Sequence, residues 1–482
     1  MQDKNTDNIL DISKRRGIVY PSFEIYGGVS GFYDYGPIGT RIKKNVDDLI
    51  REYYVIGEGC VEVECPTVSP EQVWVASGHV KNFSDMTTEC LKCGQPYRAD
   101  HLIEEDLKIS CDGMKIPELQ KLIDDNNIAC PKCRGKLDKL YDYNLMFATS
   151  VGAGKGAMTA YLRPETAQTT YLAFNRLWEI TRRKIPFGVL QIGKSFRNEI
   201  SPRQGMLRLR EFSQAEVQFF AEPENKTMEN FGDVAGISVR ILSKDEKEIS
   251  TTIGAAFEDK IIKIQMIAYF LGRSVQLFGD MGINTEKLRL RQHKDDERAF
   301  YSSETWDIEF MSGAFGRIEI VGISDRGDYD LSAHQKLSKQ SMEVNIEGRK
   351  FIPHVVEVAY GIDRPIYCVL ESCLREDERG AYFAFPTRVA PYKAAVFPLV
   401  KKDGLDERAL EVFRLLRKSG VYAIFDRSGS IGKRYARADE VGIPYCLTVD
   451  YDTLTDGTVT VRSRDSKEQK RVKIEEIVRQ LD

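Results

Sequence analysis

The stretch from Phe187 to Phe220 constrains this chain more than any other. It reads as two strands joined by a loop. The first closes on Phe196-Arg197-Asn198-Glu199, and the second runs from Arg208 through Glu211-Phe212-Ser213-Gln214-Ala215-Glu216-Val217-Gln218-Phe219. A strand sends alternate residues to opposite faces. Phe212, Gln214, Glu216 and Gln218 therefore share one face, and Ser213, Ala215, Val217 and Phe219 the other. Arg197 and Glu199 are expected to share a face of the first strand. Such an antiparallel pair buries its small, apolar face and presents an arginine, carboxylates and one aromatic ring on the other. Arginine pairs with phosphate or carboxylate, and a ring stacks on a base, so this face suits a nucleotide with an amino acid beside it. The same alternation also describes an ordinary amphipathic hairpin with a charged outer surface.

At 482 residues the chain is too long for one core, and two to four domains are expected. No apolar run approaches the length of a membrane span. Residues 1–10 are polar and acidic, without the apolar core of a signal peptide, so a cytosolic location is the expectation. The net charge of -4 is unevenly spread. Residues 388–482 hold 19 Lys and Arg against 15 Asp and Glu. That mildly basic tail is compatible with touching RNA, and equally with a solvated mixed-charge surface.

Ahead of the hairpin, Tyr26-Gly27-Gly28 and Tyr35-Gly36-Pro37 mark turns. Ile42, Val46, Leu49, Ile50 and Tyr53 then recur at helical spacing until Gly57 and Gly59. Val61-Glu62-Val63 reads as a short strand before Pro66. Residues 86–140 form a polar stretch with five cysteines, an inserted small module. Arg163-Pro164-Glu165 is expected to open a helix, with proline in its first turn. Residues 221–298 read as a second insertion of mixed helix and strand. Strands return at Arg317-Ile318-Glu319-Ile320-Val321 and over 355–359, and a helix follows from about Pro365. Beyond Pro386 the pattern alternates: strand 394–400, helix 405–418 stopped by Gly420, strand 421–425, helix 431–441, strand 445–449. This predicts a separate α/β domain with a mostly parallel sheet.

Cys90-x-x-Cys93-Gly94 and Cys130-Pro131-x-Cys133-x-Gly135 are two knuckle-like pairs. Their spacing lets four thiolates close on one tetrahedral Zn²⁺, which they would saturate, so the site is read as structural. Free thiols are the alternative. Cys111 and His101 are spare ligand candidates. Cys60, Cys65, Cys368, Cys373 and Cys446 read as small buried residues. Gly152-Ala153-Gly154-Lys155-Gly156 lacks the spacing of a P-loop. The five histidines show no metal or triad spacing and are assigned no catalysis.

Taken together, Phe196-Arg197-Asn198-Glu199, the loop, and Arg210-Glu211-Phe212-x-x-x-Glu216 resemble motif 2 of the class II aminoacyl-tRNA synthetases. Glu357-Val358-Ala359-Tyr360-Gly361-Ile362-Asp363-Arg364 resembles motif 3, and Glu62 to Pro66 stands where motif 1 would be. Within class II the chain is similar to the glycine enzymes of archaeal and eukaryotic-like homodimeric type. The likeness is carried by Pro21-Ser22-Phe23-Glu24-Ile25-Tyr26-Gly27-Gly28, Tyr97-Arg98-Ala99-Asp100-His101-Leu102, Leu162-Arg163-Pro164-Glu165-Thr166-Ala167-Gln168 and Glu319-Ile320-Val321-Gly322-Ile323-Ser324-Asp325-Arg326.

The resemblance implies an α+β catalytic domain with an antiparallel sheet over 1–386. The zinc-binding insertion at 86–140 and the second insertion at 221–298 lie within it. An α/β anticodon-binding domain spans 387–482. ATP, with Mg²⁺, would be held by Arg197, Asn198, Glu199, Leu207, Arg208, Phe212, Glu319, Ile320, Gly361 and Arg364. Of these, Arg197, Glu199 and Arg364 would support catalysis, and Glu319 would reach the Mg²⁺. The loop 207–210 would close over the triphosphate. Glycine would be held by Arg98, Glu165, Phe212, Glu216, Glu357, Ala359 and Gly361. The segment from Gly429 to Pro444 resembles the tail shared by the glycine, histidine, proline and threonine enzymes, and implies tRNA contacts from Lys433, Arg434 and Arg437. The expected partners are tRNA(Gly), glycine, ATP and a second copy of the chain. One position departs from the family, which usually has serine where Ala359 stands, and Ala359 cannot hydrogen-bond. Two other readings are kept in view: a synthetase-like accessory protein without catalysis, and a class II ligase for another amino acid.

Overall fold

The computed structural model describes residues 4–481 apart from 112, 203, 204, 299, 300 and 379. The hairpin forms as Phe187–Phe196 against Glu211–Ala221, inside a nine-stranded sheet. His354–Gly361 flanks the second hairpin strand on its other side, and Gly316–Gly327 and Glu304–Ser312 continue the antiparallel order. Leu288–Gln292, Ser238–Leu242 and Glu248–Thr252 then extend it, so strands from 221–298 belong to the same sheet as the hairpin. Val61–Val63 closes the opposite edge in parallel with Phe187–Phe196.

The second hairpin strand is covered on both faces by packed helices, which changes the expected picture of one buried and one open face. Every residue from Ser213 to Ala221 is buried. On the apolar face, Phe219 packs against Phe270 of the helix Gln265–Asp280, with ring centroids 4.4 Å apart. Truncating such a ring to alanine costs about 3–5 kcal/mol. Beside it the Tyr360 hydroxyl meets those of Tyr54 and Ser274, each at 2.6 Å. On the polar face, the Tyr171 hydroxyl donates to Gln218 Oε1 at 2.8 Å from the helix Ala167–Leu172.

That helix begins at Ala167, with Thr166 as its cap, and not at Pro164 as expected. The reason is Arg163, which is 2% exposed. Its guanidinium donates to Lys194 O (2.8 Å), Cys65 O (3.0 Å) and Gln191 Oε1 (2.7 Å). These bonds tie the segment to the sheet at Arg163, and the chain bends at Pro164 and Thr166 before the helix starts. Gly193 is needed beneath them, because a Cβ there would collide with Arg163 Nη2.

The helix expected from the Ile42 periodicity spans Pro37–Arg51, with proline in its first turn, and its last turn widens through Glu52–Gly57. Residues 84–144 carry a three-stranded sheet of Ser84–Glu89, Pro96–Arg98 and Tyr141–Asn144, with helices Ala99–Leu107 and Ile116–Asp125. Ala394–Pro398, Ala423–Phe425 and Tyr445–Val449 form a parallel core. The helices Leu405–Lys418 and Ile431–Glu440 pack on its opposite faces. This second sheet is mixed rather than mostly parallel: Thr458–Ser463 and Gln469–Lys473 add an antiparallel hairpin that turns at residues its charged sequence did not announce. It docks on the larger unit through Asn45, whose Nδ2 donates to Ala390 O at 2.8 Å, and through Arg41, stacked 3.5 Å from the Tyr422 ring centroid. No helix of the described residues is long and apolar enough to cross a membrane.

Candidate active site

The polar face of the hairpin floors a cavity of about 240 Å³. Register sets that floor. Glu216 lies opposite Ala359, Ala359 opposite Gly322, and Gly322 opposite Asp307, so a carboxylate stands beside two nearly side-chain-free positions. Gln214 lies opposite Gly361, where an added Cβ would meet nothing within 4 Å and would occupy the cavity itself.

Arg197 and Glu199 reach the cavity by a route different from the one expected. The first strand ends at Phe196, and both residues lie in the turn beyond it, where Glu199 N donates to Arg197 O at 2.7 Å. Arg197 Nε donates to Pro164 O at 3.3 Å. Its guanidinium carbon sits 5.3 Å from the Phe83 ring centroid and 5.4 Å from that of Phe212. Two rings and a carbonyl thus hold one positive group at the cavity wall.

Around Glu165 and Glu216 negative charge accumulates. Glu216 accepts from Thr166 Oγ1 at 2.7 Å. Burial, then the nearby Glu357 and Glu165, push its carboxyl up to about 8. Glu357 is also raised, by burial and by Glu165, against the pull of Arg326. Burial opposes ionisation of Glu165 too, but His79, Arg326 and the Gln168 amide hold it well below the usual carboxylate range. Arg326 donates to Asp330 Oδ2 at 2.7 Å and to Glu357 Oε1 at 3.1 Å. Four acids (Glu165, Glu216, Glu357 and Asp330) therefore gather round one guanidinium and one imidazole. The arrangement is short of positive charge, which makes it a receptor for a small cation.

The outer half of the cavity carries different chemistry. Arg208 Nε donates to Glu199 Oε2 at 2.7 Å. Arg364, at the start of helix Asp363–Cys373, donates to Leu207 O (3.1 Å) and Glu319 O (3.0 Å), tying the 207–210 loop to the sheet. The Asp363 carboxylate accepts from Ser213 N at 2.7 Å and fixes that helix start. Glu319 is half-exposed. Asp307, beside it, is pushed up to about 6 by burial and by Glu319, against a hydrogen bond with His293.

Of the fifteen residues expected to hold ATP or glycine, twelve line this one cavity and three do not. Ile320 is 1% exposed in the core, and Asn198 meets Leu145 O through its backbone N at 2.7 Å. Arg98 lies in a neighbouring hollow with His101, where its Nε donates to Asp100 Oδ1 at 3.1 Å. Sequence reasoning missed Arg326, Asp330, Gln168, Asp307 and His79. Arg326 and Asp330 sit four apart at a strand-to-helix turn, a pairing visible in hindsight; the others gave no spacing signal.

The sulfurs of Cys90, Cys93, Cys130 and Cys133 lie within 4.8 Å of one another, a set that could hold a metal ion. The chain is shaped for them: a Cβ at Gly135 would come within 2.9 Å of Cys90 Sγ and 3.2 Å of Cys133 Sγ. Burial opposes ionisation of Cys130, but the Tyr97 hydroxyl and the amides of Cys133 and Lys132 bring it down to about 6. Cys111 and His101 stand outside the cluster. In the second unit Lys433 is exposed. Arg434 is 3% exposed, donating to Gly429 O and Pro398 O, so its charge holds the local chain. Arg437 pairs with Asp426 at 2.6 Å.

Residues 155–373 match the family described as "tRNA synthetase class II core domain (G, H, P, S and T)", and residues 393–482 match "Anticodon binding domain". The glycine–tRNA ligase of Methanocaldococcus jannaschii is 43% identical over 98% of this chain and 97% of its own. That of Methanothermobacter thermautotrophicus is 40% identical over 100% and 99%. Among solved structures, Giardia lamblia prolyl-tRNA synthetase in complex with prolyl-adenylate superposes with a TM-score of 0.62, covering 99% of this chain and 75% of that one. At 15% identity this likeness concerns the fold alone.

Proposed function

Because the chain belongs to the glycine–tRNA ligase family of class II aminoacyl-tRNA synthetases, we propose that the cavity between Glu165 and Arg364 is where it activates glycine. The enzyme joins glycine to ATP as glycyl-adenylate and passes the glycyl group to the 3′ end of tRNA(Gly). One observation carries the assignment of residues: a cation-deficient group of buried carboxylates stands across a small cavity from an arginine held between two rings. A zwitterion the size of glycine matches both ends. Glu165, Glu216 and Glu357 would accept from its ammonium group, and Arg197 would meet its carboxylate.

Arg197 would also face the α-phosphate. A glycine carboxylate oxygen attacks phosphorus, the new P–O bond forms as the bond to diphosphate breaks, and the guanidinium neutralises the charge that develops. No side chain need become covalently attached; the work is positioning. Glu199 would take the adenine amino group once Arg208 leaves it for the phosphates. Phe212 would stack on the base, with Arg364 over its other face or at the γ-phosphate. Leu207, Gly361 and the backbone of Asn198 and Ile320 would shape the nucleotide's surroundings. Glu319 would reach the Mg²⁺ that accompanies ATP. Ala359 and Gly322 offer no side-chain hydrogen bond, so the ammonium would rest chiefly on the carboxylates, with the Gln214 amide oxygen as a further acceptor on the same floor. Larger amino acids are turned away by space, and no smaller competitor exists.

Zn²⁺ would be held by Cys90, Cys93, Cys130 and Cys133, where it supplies structure. Residues 387–482 would read the anticodon through stacking and edge contacts, with Lys433 and Arg437 close to RNA. A homodimer in the cytoplasm completes the proposal, its contact covering the exposed Phe23, Ile25 and Tyr26. A crystal structure with a non-hydrolysable glycyl-adenylate analogue tests the assignments. The amine is expected within about 3.2 Å of carboxylate oxygens of Glu165, Glu216 and Glu357. An amine pointing away from them would overturn this reading.

A further inference from the structure

From the wall behind Glu165 we infer that His79, which belongs to none of the class II motifs, is a positioning residue that sets how tightly the enzyme holds the glycine ammonium. The inference rests on Glu165 being an ammonium ligand. Glu165 stands between two bends, at Pro164 and Thr166, outside any helix or strand, so regular backbone structure does not fix its carboxylate. Two side chains do. Gln168 Nε2 donates to Oε1 at 2.9 Å, and His79 Nε2 faces Oε2 at 3.5 Å. A carboxylate has about four lone-pair directions. With the Gln168 amide on one oxygen and the imidazole nitrogen behind the other, the carboxylate keeps lone pairs free for the cavity that Glu165 lines.

The imidazole is itself locked. His79 Nδ1 lies 2.8 Å from Ser77 Oγ, whose hydroxyl also lies 3.4 Å from Trp74 O. The arrangement that leaves no lone pair facing the carboxylate puts a hydrogen on Nε2. The ring stands edge-on to the fully buried Trp74 at 5.5 Å and packs on Phe83 at 5.4 Å. Phe83 is the same ring that backs Arg197. One short segment, from Trp74 to Phe83, therefore supports the group that would read the ammonium and the group that would read the carboxylate. For a substrate with no side chain to grip, those two ends are all there is to position, and a support lost behind either is felt directly in binding.

His79→Phe keeps the ring against Trp74 and Phe83 but removes the donor, whereas His79→Gln keeps a donor. In glycine-dependent ATP–diphosphate exchange with the full chain, His79→Phe is expected to raise the KM for glycine about five- to ten-fold, the effect of losing a long polar contact behind a charged group. The KM for ATP should stay within about two-fold and the melting temperature near that of the parent, as the ring packing is retained. His79→Gln should restore the glycine KM to within about three-fold, since it replaces one donor by another. Ser77→Ala should move it the same way as His79→Phe but less, and decides the matter with His79→Gln if His79→Phe does not fold. Glu165→Gln is the control. If it raises the glycine KM while the His79 and Ser77 variants leave it unchanged, His79 only fills space and the inference is wrong. If Glu165→Gln itself has no effect, the assignment of the ammonium site is what fails. Equal losses for glycine and ATP would show a general distortion and would also overturn the inference.

Discussion

Glu216 offers a prediction whose size follows from its surroundings. Burial and two neighbouring carboxylates raise it to about 8, so at neutral pH the empty site keeps a proton there. An ammonium group brought against it needs the charged form. Glycine binding should therefore expel that proton, and the KM for glycine should fall as pH rises, by about ten-fold per unit below pH ~8 and little above it. Between pH ~6 and ~8 that amounts to about 50-fold. The sign for stability is opposite. A carboxyl raised in the fold binds its proton more tightly than the unfolded chain does, where its pKa is about 4.3. That stabilisation is full below pH ~4.3 and is lost as pH climbs from there to ~8, by roughly 5 kcal/mol over the whole span in the empty protein. Glycine-dependent exchange across this range, with calorimetry in buffers of different ionisation enthalpy to count released protons, reads both effects. Glu216→Gln should flatten the pH dependence while weakening glycine throughout, and should spare the empty protein the loss of stability between pH ~4.3 and ~8. A glycine KM that ignores pH in the parent, or a dependence that survives in Glu216→Gln, would refute the reasoning.

Replacing Cys93 by serine should remove one equivalent of bound zinc by elemental analysis and lower the melting temperature; unchanged metal content would show the four sulfurs are not a site. Arg197→Ala should reduce the exchange rate about 10²–10³-fold, as expected for one donor aimed at developing charge, with melting unaffected. Ala359→Ser adds a hydroxyl between Glu216 and Gly322 and should change the glycine KM by less than ten-fold, about the worth of one neutral hydrogen bond, leaving ATP unaffected. Lys433→Ala should raise the KM for tRNA without touching exchange, whereas Arg434→Ala should chiefly lower stability, since its guanidinium is spent on Gly429 O and Pro398 O.

The outline of the fold was legible because its strands alternate cleanly and its helices carry regular apolar spacing. Pro37–Arg51, Leu405–Lys418 and Tyr445–Val449 fall where periodicity and glycine stops put them. What escaped had tertiary causes. The start of the helix after Pro164 depends on a buried arginine that bonds three distant groups, which no local signal encodes. The polar face of Glu211–Ala221 reads as exposed in one dimension, yet it is covered by Thr166 and the helix Ala167–Leu172, which pack on it from a distant part of the sequence. In the candidate site, Arg197, Glu199, Phe212 and Glu216 stood out by type and spacing, and Glu165, Glu319, Glu357 and Arg364 only through the family resemblance. The layer behind it (Arg326, Asp330, His79) did not, because its members come from separate segments and are brought together only by folding. Arg434 shows the converse error, a basic residue on a helix that looks free in sequence and is buried in structure.

The decisive assay for glycine activation is amino-acid-dependent ATP–diphosphate exchange on the purified chain, comparing glycine, alanine, serine and proline with Arg197→Ala as control. Exchange is expected with glycine alone, and is expected to be lost in the control. Exchange driven by serine or proline instead of glycine, or none at all from a folded protein with its metal bound, would contradict it.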